Sequence, residues 1–207
     1  MTPTQFPAVP DVLVIDTCVL ISNVLRRLLL RLAGQGCFRP AWSPVIGDEW
    51  CRNAGRLWGV DDEMMRTQWQ ALQQDFPQAD QGDVSPFKEG LKRSDRKDWH
   101  VIAAARAAKV RWPQASVAVL TRNLRDFNRT ELRQWEIGLH DPDQLLVRMR
   151  PGREALMDHF LAMISADYAA AGREPEPLQA VLKKERLFRL NRLIAVAAEN
   201  AQEHEQV

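Results

Sequence analysis

Four carboxylates stand out by where the pattern places them: Asp16, Glu49, Asp98 and Asp126. Asp16 closes the apolar run Val12-Leu13-Val14-Ile15, which reads as a strand buried on both faces, the habit of parallel sheets. Ligands of open α/β sheets bind beyond the carboxyl ends of such strands, so Asp16 and the hydroxyl of Thr17 fall at the mouth of a crevice. Glu49 comes one turn after Val45 and Ile46 in a predicted helix, at the edge of its core face. An inward carboxylate there is costly unless it finds a cation or a polar cavity. Asp98 precedes Val101 and Ile102 by three and four residues, which puts it on the inward face of a helix's first turn. Acids are favoured at that end of a helix. Asp126 follows a second buried run, Ser116 to Leu120, in the loop Thr121-Arg122-Asn123-Leu124-Arg125-Asp126-Phe127. If the two strands are neighbours, all four acids face one crevice.

Like charges about 4 Å apart repel by several kcal/mol at intermediate dielectric, so such a set is tolerable only around cations. Oxygen ligands without Cys or His favour Mg²⁺ or Mn²⁺ over zinc. An ion held by few carboxylates keeps bound waters, the nucleophile source for in-line phosphodiester cleavage. The chain has no Ser-His-Asp order, Walker loop or GxGxxG, which removes several competing chemistries. Each residue also has a plainer reading. On that reading Asp95 or Asp98 is only a helix cap, His100 a structural core histidine, and Trp99 a packing residue instead of a base-stacking one.

The elements that must carry these groups are legible from periodicity and capping. Ser22 or Asn23 caps a helix whose stripe is Val24, Leu25, Leu28, Leu29 and Leu32. Arg26, Arg27 and Arg31 lie off that stripe and read as a solvated face, with phosphate contact as the alternative. Phe38 to Trp42 is a short segment that Pro40 confines to a sheet edge or a loop. Ser43-Pro44 opens a helix to Trp58, with Val45, Ile46, Trp50 and Leu57 as its buried candidates. Asp61 and Asp62 start another, ending near Pro77. Gln78 to Lys92 reads as a loop, the helix around Val101 to Ala108 ends before Pro113, and Ile137 to Leu139 is a third short strand. Asp141 to Asp143 opens a helix through Met149. Pro151-Gly152 divides domain 1–150 from a helical extension, 151–207, comprising a helix over Glu154 to Ala171, a turn at Gly172 to Pro177, a helical stretch from Leu178 and a fraying tail from Glu199.

Composition sets limits. With 207 residues, 45% of them apolar, the chain can bury a real core. Its net charge of +1 provides no strong overall field for a polyanion. Three cysteines without CxxC spacing read as reduced thiols, not a zinc site or disulfide frame. No stretch approaches the ~18 apolar residues of a membrane span, and Met1 to Pro10 lacks a secretory pattern. The expectation is a cytoplasmic protein with no membrane contact.

The segments VLVIDTCVL, LLLRLAGQGCFRPAWSPVIGDEWCRN, SDRKDWHVIAAA and VLTRNLRDF, in that order, resemble the PIN domain, and more narrowly VapC-like toxins with a helical C-terminal extension. The resemblance spans Val12 to Met149. It implies a Rossmann-like three-layer α/β/α fold with a short parallel sheet, plus the C-terminal helices. It implies a Mg²⁺-dependent endoribonuclease (Mn²⁺ possible), the toxin of a type II toxin–antitoxin pair, acting on tRNA, rRNA or mRNA. A cognate antitoxin and a homodimer are the implied partners. Asp16, Glu49 and Asp98 match the family's first three acids, and Thr17 its hydroxyl. Many PIN sequences have Thr-x-Asp after the later strand; here Thr121-Arg122-Asn123 supplies an amide, and Asp126 is the candidate fourth carboxylate. Asn123 would then orient a water or phosphate, Arg122 and Arg125 would bind the RNA backbone, and Asp95 would be a cap or an outer ligand. Two alternatives stand beside this. One is a catalytically weak PIN-like module that binds nucleic acid or protein. The other is a phosphotransferase of the haloacid-dehalogenase type, which needs an acid where Cys18 stands.

Overall fold

The computed structural model describes residues 9–170 and 174–205. The chain divides into two compact units, and the division falls after Asp141. The first unit, Pro10–Asp141, is α/β and carries a four-stranded sheet, all parallel, in the order β2-β1-β3-β4. Its strands are β1 (Val12–Ile15), β2 (Arg39–Ala41), β3 (Val117–Leu120) and β4 (Ile137–His140). Both central strands are wholly apolar and buried throughout, because each is covered on two faces and has a neighbour on either side. Pro40, with no amide hydrogen to donate, sits in an edge strand as its chemistry requires.

The order of the strands positions the site. The chain moves from β1 outward to β2, then crosses back over β1 to β3 and on to β4. With right-handed crossovers, this reversal is compatible with helices on both faces, a three-layer arrangement. It also makes the gap between the carboxyl ends of β1 and β3 the switch point, where open α/β sheets bind ligands. β1 and β3 pair in register from Val12↔Val117 to Ile15↔Leu120, so Asp16 and Thr121 emerge side by side.

A four-residue helix, α1 (Thr17–Leu20), leaves β1 directly, and α2 (Asn23–Gly34) follows with Ser22 Oγ accepting from Leu25 N at 3.1 Å. The predicted stripe of α2 is buried, but so is Arg26, which the sequence places on the solvated face. Its guanidinium donates to the carbonyl of Leu20 (3.0 Å) and to Asn23 Oδ1 (2.8 Å) and lies over the rings of Trp50 and Trp58. Burial pushes its pKa down to about 10. Helix α3 (Pro44–Trp58) has its predicted bounds and its Ser43 cap. Its inward stripe is Ile46, Trp50 and Ala54, spaced by four, and Val45 and Leu57 are exposed, contrary to expectation. Helix α4 (Asp62–Asp75) packs against it, with Trp69 against Gly47, where an added Cβ would fall 2.4 Å from the indole. Trp42, Trp50, Trp58 and Trp69 form an aromatic core around this contact, with ring centroids 5.2 to 5.9 Å apart. Helix α5 (Trp99–Arg111) lies against β1, β2 and β3. A short helix, α6 (Arg129–Gln134), precedes β4, in a stretch to which the sequence reading assigned no element.

The second unit contains α7 (Pro142–Met149), α8 (Glu154–Ala170), α9 (Leu178–Lys184) and α10 (Phe188–Glu205). The break at Pro151-Gly152 therefore separates two helices of one unit, and α7 belongs with the C-terminal helices. The Asp143 carboxylate explains this. It accepts from the amides of Arg189 and Leu190, both at 2.9 Å, and so caps α10. The stretch read as one helix from Leu178 is two, separated by Arg186 at φ 59°, with Leu187 N closing onto Leu182 O at 2.8 Å. The tail expected to fray is helical through Glu205. The expected turn at Gly172 to Pro177 lies partly outside the described residues. No described helix is long and apolar enough to cross a membrane.

Candidate functional site

Asp16 is 4% exposed, held by its neighbours at the end of β1. Its Oδ2 accepts from the hydroxyl of Thr121 at 2.6 Å and from the thiol of Cys18 at 3.0 Å. The Thr121 hydroxyl in turn accepts from Asn123 N at 3.0 Å, and Cys18 Sγ accepts from Arg122 N at 3.2 Å. These bonds tie the β1 end to the first turn after β3. Burial first, and then the Asp16 charge, push the Cys18 thiol up to about 12, so it stays a neutral donor.

Glu49 is carried to the same edge by α3. Its Oε2 accepts from the Thr17 hydroxyl at 3.0 Å, while His100 Nε2 stands 3.3 Å from the same oxygen. That buried nitrogen has no other polar partner at hydrogen-bonding geometry, so its proximity to Glu49 is its one polar contact in the described residues. His100, and then Thr17, hold the Glu49 carboxyl below its usual range against the opposing effect of burial. Glu49 is thus held by the residue after Asp16 and by the residue two beyond Asp98.

A third group gathers at the start of α5. Asp95, Asp98 and Asp126 each offer an oxygen within 4.8 Å of the others. A 3-10 turn over Arg96–Asp98 leads into α5, and Asp95 caps it, its Oδ1 accepting from Lys97 N at 3.1 Å. A second 3-10 turn, Leu124–Asp126, folds the loop after β3 back so that Asp126 O accepts from Asp95 N at 2.9 Å. Asp98 is 8% exposed, makes no side-chain cap, and leaves Oδ2 without a hydrogen-bond partner. Burial, and next the charge of Asp16, push its carboxyl up to about 6, with Asp126 and Asp95 adding to the shift and Lys97 opposing it. The exposed Lys97 ammonium lies 3.2 Å from Asp126 and 3.5 Å from Asp95.

The acids nominated from sequence therefore form a connected array, not one tight knot. Asp98 and Asp126 fall in the 4.8 Å group with Asp95, and Asp16 and Glu49 are outside it. Asp16 is near enough to be the largest charge acting on Asp98. The side chains of Asn123 and Arg125 are exposed, and Arg122 is half-buried. Cavities of about 510 and 560 Å³ lie elsewhere, one around Asp11, Phe38, Arg39 and Trp112 and one between α2 and α4. Neither is lined by Asp16, Glu49, Asp95, Asp98 or Asp126. The chemistry, not the enclosed volume, marks the site.

Sequence reasoning missed Glu131. It is 2% exposed on α6 and accepts three backbone amides from the loop before Asp95: Lys92 at 2.6 Å, Arg93 at 2.9 Å and Ser94 at 2.9 Å. Burial opposes its ionisation, but Ser94 and these amides together hold its carboxyl below the usual range. The available signal was Asn128-Arg129-Thr130-Glu131, a capping-box spacing. No protein-family model matches the chain, and no curated protein and no solved structure matches it.

Proposed function

We propose that this edge of the sheet is a divalent-metal centre and that the protein is a metal-dependent endoribonuclease with a PIN-like fold, the toxin of a toxin–antitoxin pair. The observation that carries the reading is Asp98: a buried carboxylate oxygen without a donor, beside Asp95 and Asp126 and under the charge of Asp16. A buried anion in that state is stable as a ligand or as a protonated acid. The donor set is all oxygen, which suits Mg²⁺ or Mn²⁺. Asp95, Asp98 and Asp126 would hold the ion, with Asp16 bordering it. Bound there, it supplies an activated water and a counter-charge for phosphodiester hydrolysis. Thr121 and Cys18 fix the orientation of Asp16, and Thr17 fixes Glu49. The exposed Arg125 and half-buried Arg122 stand on the loop that carries Asp126, where an RNA backbone would be drawn. The resemblance to PIN domains supports the substrate and the antitoxin partner.

The test is cleavage of a structured RNA by the purified chain with Mg²⁺ or Mn²⁺. Discrete fragments are expected from wild type, and none from Asp16→Asn or in excess EDTA. Full activity of that variant, or in EDTA, overturns the mechanism.

A second reading rests on Lys97. Its ammonium already bridges Asp95 and Asp126, so an internal cation could serve where a metal would. The protein would then be a binding module without hydrolytic activity. Calorimetric titration with Mn²⁺ separates the two: no heat of binding favours the module.

A further inference from the structure

We infer that Glu131 is a positioning residue that locks the two acid-bearing loops together, and this rests on the metal reading above. In a capping box, the acid three residues into a helix turns back to the amide of its own N-cap. Helix α6 has half of that arrangement, since Asn128 Oδ1 accepts from Glu131 N at 3.0 Å. The other half is exchanged between segments. The Asn128 amide donates to Ser94 Oγ at 2.9 Å, and the Glu131 carboxylate instead takes the amides of Lys92, Arg93 and Ser94. Each segment thus satisfies the backbone of the other.

The consequence lies in what the two segments carry. Ser94 is four residues before Asp98, and Glu131 is five after Asp126. The Asp95 amide bonded to Asp126 O extends the same fastening to the acids themselves. Without it, three mutually repelling carboxylates would part as far as the loops allowed, and the geometry a small divalent ion needs would be lost. Glu131 touches neither substrate nor ion, so its influence is on how tightly the ion is held.

The experiment is calorimetric Mn²⁺ titration of the full chain as wild type, Glu131→Gln, Glu131→Asp and Asp11→Ala. The last removes a bonded carboxylate at the opposite end of the sheet. Glutamine keeps one acceptor but turns an amide donor toward Ser94 N–H. Its Mn²⁺ affinity is expected to fall about tenfold or more, the usual effect of losing a group behind the ligands, with unchanged circular dichroism. RNA cleavage by this variant is expected to recover when Mn²⁺ is raised, since the ligands themselves are intact. Asp11→Ala should bind Mn²⁺ as wild type does. If Glu131→Gln does not fold, the Asp variant, which retains the charge but falls short of the loop, should show the weakened binding. Wild-type affinity in the folded Glu131 variants overturns the inference. If wild type itself binds no Mn²⁺, the metal reading fails, and amide exchange decides the positioning role separately: faster exchange of Lys92 to Asp95 in Glu131→Gln but not in Asp11→Ala upholds it, and unchanged exchange overturns it.

Discussion

The β1–β3 pair has a carboxylate at each end, and the two ends are built differently. At the start, Asp11 Oδ2 accepts from the amide of Ser116 at 2.8 Å and from its hydroxyl at 2.7 Å, and Asp11 N returns a bond to that hydroxyl at 3.0 Å. The Ser116 hydroxyl and amide hold the Asp11 carboxyl below its usual range. At the finish, Asp16 is bonded by Thr121 and Cys18 but faces Asp98, whose buried oxygen has no donor. The same contrast separates Glu131 from Asp98. Both are buried acids, one surrounded by amides and ionised, the other surrounded by acids and pushed toward its protonated form. A carboxylate whose donors are complete fastens the chain. One whose donors are missing is available to something outside the chain.

The largest effect expected from this contrast is in activity. Asp98→Asn should lose RNA cleavage and Mn²⁺ binding by about 100-fold or more, while Asp11→Ala should leave both unchanged. Equal losses in the two variants, measured on the same RNA, would erase the distinction between the ends. Thr121→Val should reduce cleavage by about tenfold through a misoriented Asp16, because one charge-assisted hydrogen bond is worth roughly 1.5–3 kcal/mol. Its Mn²⁺ stoichiometry should not change.

Asp11→Ala should instead lower the melting temperature by about 3 °C, corresponding to a net loss of about 1 kcal/mol. The smallest effect is pH-dependent and belongs to the metal-free chain. The Asp98 carboxyl is raised from 3.8 to about 6 on folding, so its contribution to stability is complete below the lower value and is lost as pH rises through the upper one. Glu49 and Glu131, held low, act in the opposite sense: their contribution is complete above about pH 4.5 and is lost only as pH falls below it. Acidifying from about pH 7 to about pH 5 should therefore raise the melting temperature of wild type relative to Asp98→Asn, by about 2 °C. Parallel melting curves across that range would show that folding does not raise the Asp98 carboxyl.

What could be read directly from residue order is what depends on near neighbours. Val12–Ile15 and Val117–Leu120 are unbroken apolar runs, short, rich in β-branched residues and closed by a polar residue, which is enough to read a strand buried on both faces. The caps at Ser22, Ser43 and Asp61 act within three residues of themselves; Ser43 caps as expected, Ser22 rather than Asn23 caps α2, and Asp61 stands at the expected helix start. Asp16, Glu49 and Asp98 each end or edge such an element, and Asp126 stands in the loop that follows one.

Convergence on one edge was expected, but which acids share one tight cluster was not legible, since it depends on how loops about thirty residues apart in sequence fold onto each other. Asp95 joins Asp98 and Asp126 because one backbone bond draws the two loops together. Glu131 has a capping-box position and a different partner, and only the third dimension supplies the loop that claims it. Arg26 obeys helical spacing for a surface residue, yet two tryptophans from α3 and a carbonyl of α1 enclose it. Periodicity tells which side chains share a face of one helix or strand. Which faces, loops and charges meet is decided by packing, because those energies arise between segments that sequence order keeps apart.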